Sequence, residues 1–174
     1  MHRIILSILI AVSIPVLAVE NKSEAQYTIE VLDAFCIQNQ TDFDNIVPMA
    51  VSAGGKILPN EQADPAMREL GGKTVYVPYN GRNYIVAFAN EGGCTVVTKT
   101  IDLANLKSLL VKYFKIEQID RQSSLSQVNE MYEVKEKGIY QGAVLSIVYA
   151  QKETGYTEGS ISFLPAAIIN RDIR

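Results

Sequence analysis

The sequence has no tryptophan, two cysteines and one histidine, and that histidine is His2, beside the N-terminus. Each scarcity closes off a class of chemistry. His2 is followed by Arg3, the apolar run Ile4 to Val12, Pro15 and Val16-Leu17-Ala18. These are the basic, apolar and small-residue parts of a secretory signal peptide, with cleavage expected after Ala18. The run is shorter than the roughly 20 apolar residues of a membrane-spanning helix, so no membrane insertion is expected after processing. Val19 would then lead the mature chain, which disfavours lipid anchoring at a cysteine. The pattern is of bacterial type and places the product in the periplasm or outside the cell.

Once residues 1–18 are removed, no imidazole is left. Ser-His-Asp and Cys-His catalysis, histidine metal sites and a neutral-pH histidine switch are all excluded. Removing 18 of the 174 residues leaves 156, the size of one ordinary domain. Arg3 is lost with the leader, so 15 basic residues face 19 acidic ones and the net charge of −3 becomes −4. An acidic chain lacks the basic face that nucleic acid or an anionic membrane requires, whereas a basic partner is tolerated.

The two cysteines are Cys36, within a helical stretch, and Cys94, directly after Gly92-Gly93 at the head of an apolar strand. In an oxidising compartment two lone cysteines pair. A Cys36–Cys94 bridge pins the first helix to the sheet and removes both thiols from catalysis and zinc binding. No cofactor and no metal are implied.

Along the chain, Ser23 and Gln26 form a capping box, and the spacing of Tyr27, Val31, Ala34 and Phe35 predicts a helix to about Gln38. Thr41 and Asp44 repeat that signal before a second helix ending at Gly54-Gly55, where Pro48 predicts a kink or a later start. Lys56 to Lys73 reads as loop, with a short helix around Asp64-Pro65 to Gly71. Thr74–Tyr79, Asn80-Gly81 and a run to Ala89 form a β-hairpin, and Cys94–Thr100 a third strand. Asp102 caps a helix with the stripe Leu103, Leu106, Leu109, Leu110, Tyr113 and Phe114. Strands follow at Ile116–Asp120, Met131–Lys135, Ala143–Ala150 and Ile161–Ile169, the last with Pro165 as an edge or bulge, and Asn170–Arg174 frays.

The expected fold is therefore α+β: residues 19–170 form one domain, residues 171–174 a tail. An antiparallel sheet of six or seven strands carries two or three helices on one face.

Phe35-Cys36, Asp44 with Ala50 and Gly54, Leu58-Pro59, the strand Tyr84 to Ala89 and Gly92-Gly93-Cys94-Thr95-Val96 occur in an order similar to a family of small exported bacterial proteins and lipoproteins. That family is named after a neisserial member and has no assigned function. The likeness covers about the first two thirds of the mature chain. It implies export and the cysteine pair, and it carries over no catalytic residue.

For function, Asp120, Glu130, Glu133 and Glu136 could supply the carboxylate pair of a cell-wall glycan hydrolase, although their alternation with Lys135 and Lys137 reads as the wet face of a sheet. Gly92-Gly93 leads into a strand and lacks the helix amides of a phosphate cradle. Ser123, Ser124 and Ser126 have no histidine base. Tyr79, Asn80, Arg82 and Tyr84 at the hairpin tip, with Tyr156 in a later loop, are of the residue types that carry interface energy. The alternative for Tyr79 and Tyr84 is that they are cross-strand partners holding the hairpin. The sequence thus points to an exported, non-enzymatic binding protein whose partner is another protein, in its sharper form an immunity or inhibitor protein against a secreted effector. A glycan hydrolase and a small-ligand carrier are the alternatives.

Overall fold

A computed structural model describes residues 22–63, 65–100, 102–151 and 158–172, with only the backbone described at 66, 171 and 172. The expected signal segment, Asp64 and Tyr156 lie outside the described residues.

The first helix, α1 (Glu24–Val31), starts where the capping box predicts. Ser23 Oγ accepts from Gln26 N at 3.2 Å while Gln26 Oε1 accepts from Ser23 N at 2.6 Å. The helix then widens into a π-helical turn, Leu32–Ile37, in which Leu32, Phe35, Cys36 and Ile37 are all buried. Next, Asp42 caps a single 3₁₀ turn, Phe43–Asn45, and α2 (Ile46–Ser52) begins. Pro48 delays the helix: it falls in the first turn of α2, where its missing amide donor costs nothing.

Short pieces follow: β1 (Lys56–Ile57), a 3₁₀ turn at Asn60–Gln62 and α3 (Pro65–Glu69). The hairpin of β2 (Lys73–Tyr79) and β3 (Arg82–Ala89) turns at Asn80-Gly81, whose φ values of 48° and 75° are those an Asn-Gly turn supplies cheaply. β4 (Gly93–Thr98) is entered through Gly93 at φ 130°; a Cβ there would lie 2.8 Å from the Phe163 carbonyl oxygen. The remaining elements are α4 (Leu103–Phe114), β5 (Ile116–Ser123), β6 (Gln127–Val134), β7 (Val144–Ala150), β8 (Gly159–Leu164) and α5 (Ala166–Asp172).

All eight strands form one antiparallel sheet in the order β1-β2-β3-β4-β8-β7-β6-β5. Two meanders thus meet at the β4–β8 seam, and α4 carries the chain from the middle of the sheet to its far edge. The α+β class is as expected, with eight strands instead of six or seven and five short α-helices instead of two or three. Strand parity sends Val77, Val86, Cys94, Val96, Leu145, Ile147, Ile161 and Phe163 into one core with Ile29 and Leu32 of the first helical segment and Leu106 and Leu110 of α4. On the opposite face small polar side chains pair, as Thr95 with Ser162 at 2.8 Å and Ser146 with Asn129 at 2.7 Å.

Two expectations need correction at the C-terminus. Pro165 does not sit inside a strand ending at Ile169: β8 stops at Leu164, Pro165 cannot extend the ladder, and α5 starts behind it. Residues 170–172, expected beyond the last element, continue that helix, and residues 173 and 174 lie outside the described residues.

Cys36 and Cys94 are bonded, with Cα atoms 5.4 Å apart, and both are fully buried. The bridge joins the π-helical turn to β4. It closes a loop of 58 residues, for which chain entropy predicts about 4 kcal/mol of stabilisation. A Cys36→Ala/Cys94→Ala double variant is expected to lose that amount in urea unfolding followed by circular dichroism. An unchanged midpoint would show that the native packing holds α1 without the bridge.

Candidate functional site

The hairpin residues singled out in the sequence converge on α1. Tyr84 is 1% exposed, and its hydroxyl donates to Glu24 Oε1 at 3.0 Å. The same carboxylate accepts from Arg82 Nε through Oε2. Burial, then the bond to Glu24, push the Tyr84 phenol well above its ordinary value, so it remains a neutral donor. Arg82 also lies 4.2 Å above the Tyr27 ring, which meets Tyr79 edge-on at 6.4 Å. Tyr79 donates to Glu30 Oε2 at 3.1 Å.

Tyr84 is therefore removed from any contact surface, because it spends both its ring and its hydroxyl inside the protein. Nor are Tyr79 and Tyr84 opposite one another: Tyr79 faces Arg82, and Tyr84 faces Val77. Asn80 stays exposed at the tip, and Tyr79 and Arg82 are partly exposed.

Beyond Glu30 this surface opens into a cleft of about 520 Å³ between α1 and α4. Ile29 and Phe114 form its apolar part, and Lys22, Glu30, Asp33 and Tyr113 stand around it. Lys22 pairs with Glu30 Oε1 at 2.5 Å, and that bond holds the ammonium above the ordinary lysine value. Asp33 Oδ1 accepts from Gln38 Nε2 at 3.1 Å. Tyr113, expected on the buried stripe of α4, is 52% exposed instead. Leu106, Leu110 and Phe114 follow one another at four-residue spacing down the buried side, and Tyr113 falls on its shoulder.

The four candidate carboxylates do not share one face of the sheet. Glu130 lies on the core face of β6, only 3% exposed, where it was expected on a wet face. Val128, Glu130, Tyr132 and Val134 share one parity and are all buried. Glu133 has the opposite parity on the same strand. Asp120 pairs in register with Met131, also of opposite parity. Glu136 lies past the end of β6 and pairs with Lys115. Glu133 holds Lys135 at 2.7 Å, and Asp120 accepts from the Arg121 amide at 2.8 Å.

Glu130 itself is enclosed by donors. Tyr132 Oη donates to Oε2 at 2.6 Å and Tyr149 Oη to Oε1 at 2.9 Å. Lys107 of α4 pairs with Oε2, and Arg121 Nε of β5 lies 3.5 Å from Oε1. Burial pushes the Glu130 carboxyl up, but the bonds from Lys107, Tyr132 and Tyr149 outweigh it and the net shift is downward. A carboxylate so held is a poor proton donor, the role a glycosidase acid must play with a raised pKa. Among the described residues no group of three or more histidine, cysteine or acidic side chains is arranged to hold a metal ion.

The burial of Glu130 is legible in principle, since alternation carried back from Tyr132 to Val128 turns it inward. The cleft was not legible, because it depends on how α1 and α4 lie together. Comparison of the chain with protein-family models, curated proteins and solved structures gives no match.

Glu130→Gln is expected to destabilise the protein by about 2–3 kcal/mol at pH 7, since charge-assisted bonds become weaker neutral ones. The effect has a pH signature. Because the folded carboxyl lies below the ordinary value of 4.5, its contribution is complete above that pH and is lost as the pH falls through the folded value. Urea midpoints measured from pH 7 down to pH 3 should therefore converge for the two proteins; parallel curves would show that Glu130 is not the group being protonated.

Proposed function

We propose that the protein is an exported, non-enzymatic binding protein that acts by contact with another protein, in its sharper form an immunity or inhibitor protein against a secreted bacterial effector. The observation that carries this reading is the engagement of its chemical groups. Glu130 is saturated by donors, Asp120 and Glu133 lie on the other face of the sheet, and Glu136, past the end of β6, is paired with Lys115. Glu24 and Tyr84 are spent in fastening the hairpin to α1, and Arg82 joins them through Nε while staying partly exposed. Both sulfurs are in the bridge.

What is left outward is a surface running from Asn80 and Arg82 across Tyr27 and Tyr79 to the cleft beside Glu30. Aromatic residues and arginine on a rigid frame suit protein contact, because little side-chain freedom remains to be lost on binding. Export is supported by the disulfide, a bond that persists in oxidising compartments. The small-ligand carrier remains a second reading, favoured by a cleft volume within the range of about 300–1,000 Å³ usual for ligand sites.

Co-expression with the products of the neighbouring genes and capture on the tagged mature protein should yield a stoichiometric partner. Arg82→Ala together with Tyr79→Ala should weaken that complex by more than about tenfold. In parallel, peptidoglycan incubated with the protein between pH 4 and 8 should release no fragments by mass spectrometry. Release of muropeptides would replace this reading with the glycan hydrolase.

A further inference from the structure

The cleft between α1 and α4 has a charge pattern that points to one kind of occupant. Its apolar part is Ile29 and Phe114, both largely buried. Around it stand two carboxylates, Glu30 and Asp33, against one ammonium, Lys22. The cleft is also bracketed by cation-accepting groups that already hold lysines of this chain. Lys22 Nζ sits on Glu30, and Lys112 Nζ lies 5.4 Å from the centroid of the Tyr113 ring. The Asp33 side chain is less engaged, holding only the Gln38 amide through Oδ1 among the described residues.

Lys22 is the informative group. It is 45% exposed and, among the described residues, tethered by that one ion pair, so a second ammonium can displace it at little cost. A lysine side chain matches the whole cleft and not the carboxylates alone, because its methylene stem needs an apolar wall while its head needs oxygen acceptors. The acidic balance of the chain favours approach by a basic surface.

We propose that this cleft receives a lysine side chain of a protein partner. The ammonium lies between Asp33 and Glu30 in place of Lys22, and the stem runs along Ile29 and Phe114 under the Tyr113 ring. The inference rests on the binding-protein reading and adds the chemistry of the partner's anchoring residue.

The test is an NMR amide-shift titration of the mature protein with Nα-acetyl-lysine methylamide, beside its uncharged counterpart Nα-acetyl-norleucine methylamide. The lysine probe should saturate shifts at Glu30, Asp33 and Phe114, and the norleucine probe should bind at least about tenfold more weakly, the cost of one lost charge-assisted bond. Asp33→Asn should weaken the lysine probe by about tenfold, whereas Lys22→Met, which removes the internal competitor, should tighten it. Both positions are at the surface, and circular dichroism checks that each variant is folded.

Equal response to the two probes, no effect of Asp33→Asn, or weaker binding by Lys22→Met would each overturn the proposal. The two readings fail separately. Capture of a partner without any response to the lysine probe removes the cleft assignment and leaves the binding reading. A response to the probe without a captured partner removes the protein source of the lysine, since the cleft then serves a free amine.

Discussion

The bond between Cys36 and Cys94 fixes the first helical segment against the middle of the sheet, and the candidate surface depends on that placement. Cys94 belongs to β4, which lies between β3 and β8 at the seam where the two meanders join. Its register partners are Phe88 and Phe163, so the bridge is anchored in aromatic core on both sides. The other end of α1 is tied as well. Ser23 Oγ accepts from Asn105 of α4 at 2.9 Å, while Glu24 holds Arg82 and Tyr84 of β3. A helix held at both ends presents Glu30 and Asp33 in a defined place, and the wall of the cleft is rigid for that reason.

Two carboxylates act as fasteners in this fold, and they share a design. Glu24 ties the hairpin to α1 through an arginine and a tyrosine. Glu130 ties α4, β5, β6 and β7 together through a lysine, an arginine and two tyrosines. Glu24 stays partly exposed, whereas Glu130 is buried, and burying an ionised carboxylate costs several kcal/mol that only a nearly complete set of donors offsets. Much of the tyrosine content is accounted for in this way, since Tyr79, Tyr84, Tyr132 and Tyr149 each donate to a glutamate. Residue types that suggest an interface or an acid-base pair in the sequence are thus largely consumed in holding the molecule together. The outward surface that remains is shaped by what those fasteners leave uncovered.

How much could be read from the chain varied with the physics of each element. The capping box at Ser23, the Asn80-Gly81 turn and the α4 stripe at Leu106 and Leu110 are local signals, complete within a few residues, and they appear where the spacing puts them. The sequence pattern ends β5 at Asp120, whereas the strand runs to Ser123. As an edge strand its side chains are nearly all exposed, so it carries no hydrophobic alternation to mark its length. Extending β6 back to Gln127 reverses the reading of Glu130, because parity decides which face a charged residue occupies and a strand begun too late hides it. Pro165 reads as an edge or a bulge within a strand to Ile169; neither the end of the ladder at Leu164 nor the helix that follows is legible there.

Composition and local pattern determined the class of fold, the cysteine pair and most element boundaries, because each rests on interactions between residues close in sequence or on a choice with only one partner available. Tertiary structure decided which donors meet the buried Glu130, which tyrosine is on the surface and where a cleft opens. Those outcomes depend on helix-to-sheet and helix-to-helix packing between segments tens of residues apart, such as Glu24 with Tyr84 or Lys107 with Glu130. No periodicity within either segment encodes the distance between them.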